Sequence, residues 1–306
     1  MNIREWTLPV YTILTQLSIG ALFVIWVIRA FKSAKFGSEK TDQAIKIPML
    51  ILFTTATFAI IFAHFHLSRP YLSFLALRNL WSSWLSRELF SNLIYILTLG
   101  LLLISLWLVR AQHGVITALG WLAILFGFVT DFCMSQIYLL PSQPAWNSLF
   151  TPFSFLVTTF LLGVLTIPVL FTIDLIFKKS QGQDGQAIHA HLIDQSLGGM
   201  AILAIILSIL MATIVYFQIA ALFSGNVAAQ TSLNLLLNIY EPLLIIRLVF
   251  LFIGVGWLGY MAAQHHQRRV ASENLLLQVF IPCLLVMVAE ILGRFLFFAI
   301  HVRIGI

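Results

Sequence analysis

Apolar runs long enough to cross a bilayer recur along the whole of this 306-residue chain. A helix needs about 20 predominantly apolar residues to span the hydrocarbon core. Eight stretches meet that requirement, at roughly 8–30, 47–66, 89–110, 115–138, 151–177, 197–223, 243–263 and 275–300. Charged residues make up only 9% of the chain and hydrophobic ones 60%, too little polar surface to solvate a globule of this size. Inside lipid no water satisfies free backbone groups, so such segments fold as helices. The expected fold is all-α: one integral membrane domain over 1–306 with eight transmembrane helices. The first run, Leu8 to Ala30, is long enough to span, and Arg29, Lys32 and Lys35 follow it, the reverse of the order in a cleaved signal.

Charge placement predicts an orientation. Ten of the 17 basic residues (Arg29, Lys32, Lys35, Lys40, Lys46, Arg110, Lys178, Lys179, Arg268 and Arg269) fall on one side of the eight spans. The connections 139–150 and 224–242 on the other side carry no Lys or Arg. The positive-inside rule then puts both termini on the outer side of the membrane. Cys133 and Cys283 both sit in apolar segments and no CxxC occurs, so neither zinc nor an iron–sulfur cluster is expected on this chain. Nothing supports a nucleic-acid partner. The polar stretch 178–196 reads as a solvated linker, and the pairs His189/His191 and His265/His266 as incidental.

The connection between the second and third spans breaks the charge rule. "HFHLSRPYLSFLALRNLWSSWLSRE", residues 64–88, concentrates His64, His66, Arg69, Arg78, Arg87 and Glu88 on the outer side. Tyr71, Phe74, Leu75, Trp81, Trp84 and Leu85 fall near helical spacing, with serines on the other side. That pattern predicts an amphipathic helix in the interface, started after Pro70 and roofing whatever lies beneath. His64 and His66 stand about 200° apart on a helix, so one of them faces a given pocket.

Ionisable groups within spans are costly and mark sites by default. Asp131, Gln218, Arg247, Glu290, Arg294 and His301 all fall in the outer half of their spans; in the inner half only Asp174 stands out, with Lys178 four residues on. A route across the membrane needs polar groups reaching both sides; a one-sided set suits a site opening outward. Structural readings stand beside the functional one: Glu290 and Arg294, spaced i, i+4, as an ion pair, and Asp131 neutralised by Arg247 or Arg294.

Three blocks carry a resemblance: "HLSRP" at 66–70 with Glu88 22 residues after the histidine, "PAWNSLFTPFSFLVTTFLLG" at 144–163, and "AEILGRFLFFAIH" at 289–301. In this order, on eight spans, they resemble the membrane-anchor subunits of bacterial dimethyl sulfoxide reductases, among the broader polysulfide-reductase-type (NrfD-like) anchors. The resemblance implies menaquinol as substrate and no haem of the chain's own. It implies two partners on the outer face of the cytoplasmic membrane, a four-cluster iron–sulfur subunit and a molybdopterin catalytic subunit. It places the quinol-site histidine and acid on His66 and Glu88.

The residues suit that chemistry. An imidazole accepts a proton from a quinol hydroxyl, and a carboxylate stabilises it or passes the proton on. His64, Asp131, Gln218, Arg247, Glu290, Arg294 and His301 are the further candidates for the quinol pocket. Arg69, Arg78 and Arg87 are the candidates for docking an acidic partner. Two other readings remain: a haem b anchor using His66 and His301, and an ion or solute transporter using Glu290, Asp131 and Asp174.

Overall fold

The computed structural model describes residues 7–65, 70–109, 112–180, 186–268 and 275–304, without the side chains of 70, 178–180, 186–196, 265–268 and 275. Eight helices are long and apolar enough to cross a membrane, as expected, and no strand occurs among the described residues. They are α1 (Thr7–Phe36), α3 (Lys46–His64), α4 (Trp84–Ile104), α5 (His113–Gln136), α6 (Phe150–Ser180), α7 (Gln186–Phe223), α9 (Glu241–Arg268) and α10 (Leu275–Ala299). Short helices α2 (Ser38–Ala44) and α8 (Val227–Asn234) lie in connections, and π turns extend α4 over Ser105–Val109 and α8 over Leu235–Ile239. The first and last described residues, Thr7 and Ile304, lie with 137–149 and 224–240 on what we call the terminal face; the opposite face carries α2.

Two helices form the centre. Most of the apolar stretch of α1 and of α6 is buried, whereas less than half of it is buried in each of the other spans, as in helices facing lipid. Glycine lets the central pair touch. A Cβ on Gly20 would fall 1.8 Å from the Thr159 carbonyl oxygen, and one on Gly163 2.3 Å from the Gly20 carbonyl carbon. Close backbone approach at small residues substitutes for the hydrophobic drive that lipid removes. Gly120 of α5 similarly makes room for the Trp26 indole, whose ring would lie 1.9 Å from a Cβ there.

The interfacial helix exists but is shorter and tighter than its spacing suggests. Pro70–Asn79 forms a 3-10 helix, a turn follows, and α4 starts at Trp84, capped by Ser83 accepting from the Ser86 amide. The Arg87 guanidinium holds that turn, donating from Nε to the Leu80 carbonyl (2.9 Å) and from Nη2 to the Trp81 carbonyl (2.6 Å), while lying over the Trp84 ring. Tyr71, Phe74 and Trp81 point away from the protein, the last 93% exposed. The stretch 178–196 departs from its reading as a linker: α6 continues to Ser180 and α7 begins at Gln186.

Candidate functional site

At the terminal face, Glu88 lies one turn into α4 and is almost fully buried. An isolated carboxylate would be costly there, and α1 supplies the compensation. The Tyr11 hydroxyl donates to Glu88 Oε1 at 2.6 Å and itself accepts from Asn92 Nδ2 at 2.8 Å. Asn92 follows Glu88 by four residues, which sets the amide over the carboxylate on one helix face. Ala59, Met134 and Phe155 close around Tyr11. Next to them, Thr130 of α5 donates to the Ser91 hydroxyl at 3.0 Å.

His64, at the end of α3, carries its proton on Nδ1, because that nitrogen meets the Ile60 carbonyl at 2.7 Å and a carbonyl only accepts. Its Nε2 is then free to accept from Ser73 of the 3-10 helix, at 3.3 Å. His64 is thus tethered at the interface. His66 and Arg69 lie outside the described residues. Arg78 is exposed, while Arg87, half-buried, is engaged with the turn that starts α4.

A second polar centre joins four helices through one residue. Gln16 of α1 is fully buried. Its Nε2 donates to Asp131 Oδ1 of α5 (2.9 Å) and to the Phe155 carbonyl of α6 (2.8 Å), and its Oε1 accepts from Arg294 Nη2 of α10 (2.8 Å). Acceptors on the nitrogen side and a cation on the oxygen side fix the amide's orientation. Arg294 lies over the Phe155 ring, its Cζ 3.4 Å from the centroid, a cation–π contact between buried side chains.

The simple ion pairs suggested by spacing therefore do not form. Asp131 reaches Arg294 only through Gln16, and Glu290 turns instead to Thr158 of α6, whose hydroxyl donates to Oε2 at 2.6 Å. The helices around each carboxylate provide a neutral donor, so direct pairing is not needed. Asp174 is fully buried on α6, and the side chain of its suggested partner Lys178 is not described.

Between the two centres the 137–149 connection and the end of α10 lock together through aromatic rings. Trp146 stacks on Phe297 (centroids 5.4 Å apart) and on His301 (4.8 Å), and its Nε1 donates to the Phe297 carbonyl. His301 Nδ1 meets the Phe298 carbonyl, so its ring is held rather than free. Tyr138 packs edge-on against Phe297 at 5.2 Å. Burial raises its phenol above the usual tyrosine range, helped by the charge of Glu88 and opposed by that of Arg294, so it lies within electrostatic reach of both centres.

Gln218 and Arg247 belong to neither group. They line a cavity of about 60 Å³ between α7, α9 and α10 whose lining includes neither Glu88 nor its hydrogen-bond partners. On the opposite face, buried Arg29 pairs with Asp42 of α2 at 2.7 Å and donates to Thr117, and His113 Nδ1 lies 3.0 Å from the second Asp42 oxygen. Arg29 thus anchors α2 and is not a free loop charge.

Sequence reasoning missed the Asp42–His113 pair, which lies outside the apolar runs, and the neutral groups Tyr11, Gln16, Asn92 and Thr158. The available signal was an amide or hydroxyl alone in an apolar helix, which lipid penalises as it does a charge.

Similarity to known proteins agrees with this architecture. Residues 1–300 match the family of the DMSO reductase anchor subunit (DmsC). The chain is 26% identical to the YnfH subunit of an anaerobic dimethyl sulfoxide reductase of Escherichia coli, over 99% of its own length and 96% of that protein. It is 27% identical to the C subunit of the anaerobic dimethyl sulfoxide reductase of Haemophilus influenzae, over 100% and 98%. The C subunit of the anaerobic dimethyl sulfoxide reductase of Escherichia coli is 23% identical, over 99% and 96%. With the match running along all eight spans, the chain belongs to the DMSO reductase anchor subunit family.

Proposed function

We propose that this anchor subunit oxidises menaquinol at the terminal face and hands the electrons to a partner subunit. The observation that carries the reading is Glu88: a buried carboxylate at the start of α4, held by Tyr11 and Asn92, on the helix that follows the His66 segment. A quinol must lose two protons and two electrons to become a quinone. His66, the imidazole of the pair, accepts a hydrogen bond and then a proton from one hydroxyl. Glu88 stabilises the imidazolium and passes the proton to the outer aqueous side, and the second hydroxyl's proton leaves through the same pair once His66 is neutral again. The electrons go to the four-cluster iron–sulfur subunit and from it to the molybdopterin subunit, which reduces dimethyl sulfoxide or a related oxide. The chain itself holds neither haem nor cluster in this scheme.

The protein sits in the bacterial cytoplasmic membrane with both termini outside. Arg78 is exposed in the last turn of the 3-10 helix, and with Arg69 and Arg87 it is assigned to acidic groups on the electron-transfer partner. Of the remaining candidates, His64, Asp131, Glu290, Arg294 and His301 shape and stiffen the wall of the site; none needs to touch the ring.

The test compares His66→Ala and Glu88→Gln with the wild type in the intact complex, measuring terminal reduction driven by menaquinol and by a soluble viologen. Quinol-driven turnover is expected to fall by about 10²-fold or more, the usual contribution of a proton-transfer group, with the viologen rate kept. Wild-type quinol turnover in either variant refutes the assignment.

A further inference from the structure

Arg247 lies at the same end of the bundle as the two polar centres and takes part in neither. It sits six residues into α9. Its buried Nε has no hydrogen-bond partner, and no carboxylate lies within 4.0 Å of the guanidinium among the described residues. The fold makes space for it. A Cβ on Gly293 of α10 would fall 2.6 Å from its Cζ and Nε, so the guanidinium rests where a side chain would otherwise be. A guanidinium without a direct counter-ion inside a membrane protein is costly.

What surrounds it defines the missing partner. The 60 Å³ cavity is walled by Val215, Ile219, Leu244 and Leu296, with the Gln218 amide as its other polar group. Ala145, Gln218 and Leu222 also line an adjoining cavity of about 300 Å³ at the terminal face, whose other walls include Asn147, Ser148 and Asn226. Neither cavity is lined by a carboxylate or a histidine. Quinol oxidation needs a proton acceptor, so this place is unsuited to it. A phosphodiester needs a permanent cation, neutral donors and, for its acyl chains, an apolar wall.

We propose that this cavity binds an anionic phospholipid. The phosphate lies on Arg247 and Gln218, the polar headgroup fills the adjoining cavity between the 137–149 connection and α8, and the acyl chains follow the α7–α9–α10 groove. The lipid gives the Arg247 guanidinium a direct counter-charge and bridges α7, α9 and α10. The site is independent of the quinol pair, and its test reads lipid, not turnover.

The experiment is native mass spectrometry on the full-length chain with the subunits that co-purify. After delipidation the protein is titrated with phosphatidylglycerol, phosphatidylcholine, menaquinone or inorganic phosphate. Wild type is expected to retain one phosphatidylglycerol, and Arg247→Lys to keep it. Arg247→Gln is expected to lose at least about tenfold in occupancy, as for removal of a charge-assisted hydrogen bond to phosphate. Gly293→Ala, which displaces the guanidinium while leaving its charge, is expected to weaken retention as well. Unchanged phosphatidylglycerol in both Arg247→Gln and Gly293→Ala overturns the proposal. So does Arg247-dependent binding of menaquinone, of phosphatidylcholine at equal strength, or of inorganic phosphate in place of lipid.

Discussion

Tyr11 and Glu88, 77 residues apart, share a 2.6 Å hydrogen bond in which the phenol donates to the carboxylate. Because Asn92 donates to the same phenol, the hydroxyl is fully used and the Glu88 side chain is held in one position. Tyr11→Phe removes that hold while keeping the ring in its apolar surroundings. It leaves a carboxylate oxygen and an amide without partners, at a cost of about 1–3 kcal/mol. The variant is expected to assemble, to lose several-fold in menaquinol-driven reduction and to keep its viologen-driven rate. Equal loss in both assays points to a structural role for Tyr11 alone.

Gln16 does what a direct ion pair would otherwise do between Asp131 and Arg294. Gln16→Leu leaves both charges buried and unbridged, and breaking such a network costs on the order of 3–5 kcal/mol. The expected result is a marked drop in thermal unfolding temperature in detergent, larger than that of Tyr11→Phe. Adding Asp131→Leu to Gln16→Leu should cost less than the sum of the two single changes, since they share one network. Strict additivity would show that the bridge carries no coupling.

The α1–α6 crossing is set by backbone contact at Gly20 and Gly163. Either residue changed to alanine forces the helices apart along their length, and membrane accumulation of the chain is expected to fall sharply. Gly256→Ala in α9 is the control, because a Cβ there meets nothing within 4 Å. Immunoblotting of membranes against this control reads the difference; similar levels for all three would contradict the close crossing.

On the opposite face, Asp42→Asn strips Arg29 of its counter-charge beneath α2. Asp42 keeps 13% of its side chain exposed, so the cost is expected below that of a fully buried pair, about 2–3 kcal/mol. The variant should expose the Ser38–Ala44 connection to added protease before the wild type does. An unchanged digestion pattern would mean that α2 is held by other contacts.

Much of this was legible in the residue order. The eight spans follow from apolar length alone, and Pro70 correctly announced a helix in the 64–88 connection. Its end was not legible, because Trp81 and Trp84 keep helical spacing across a break made by the Ser83 cap and the Arg87 guanidinium. Glu290 and Arg294 illustrate the same limit: an i, i+4 spacing permits a pair, but Thr158 and Gln16 from other helices were better placed.

The sequence by itself determined the class of protein, the number of spans, and the gathering of Glu88, Asp131, Glu290 and Arg294 toward one face, since all of these depend on length and on position along a helix. Only the tertiary structure decided that Tyr11 meets Glu88, that Gln16 joins Asp131 to Arg294, and that Arg247 stands apart in a cavity. The reason is physical: in lipid nearly every helix face is apolar, so the rotation of each helix is invisible in its pattern. It is set by where polar groups and glycines from distant segments can meet.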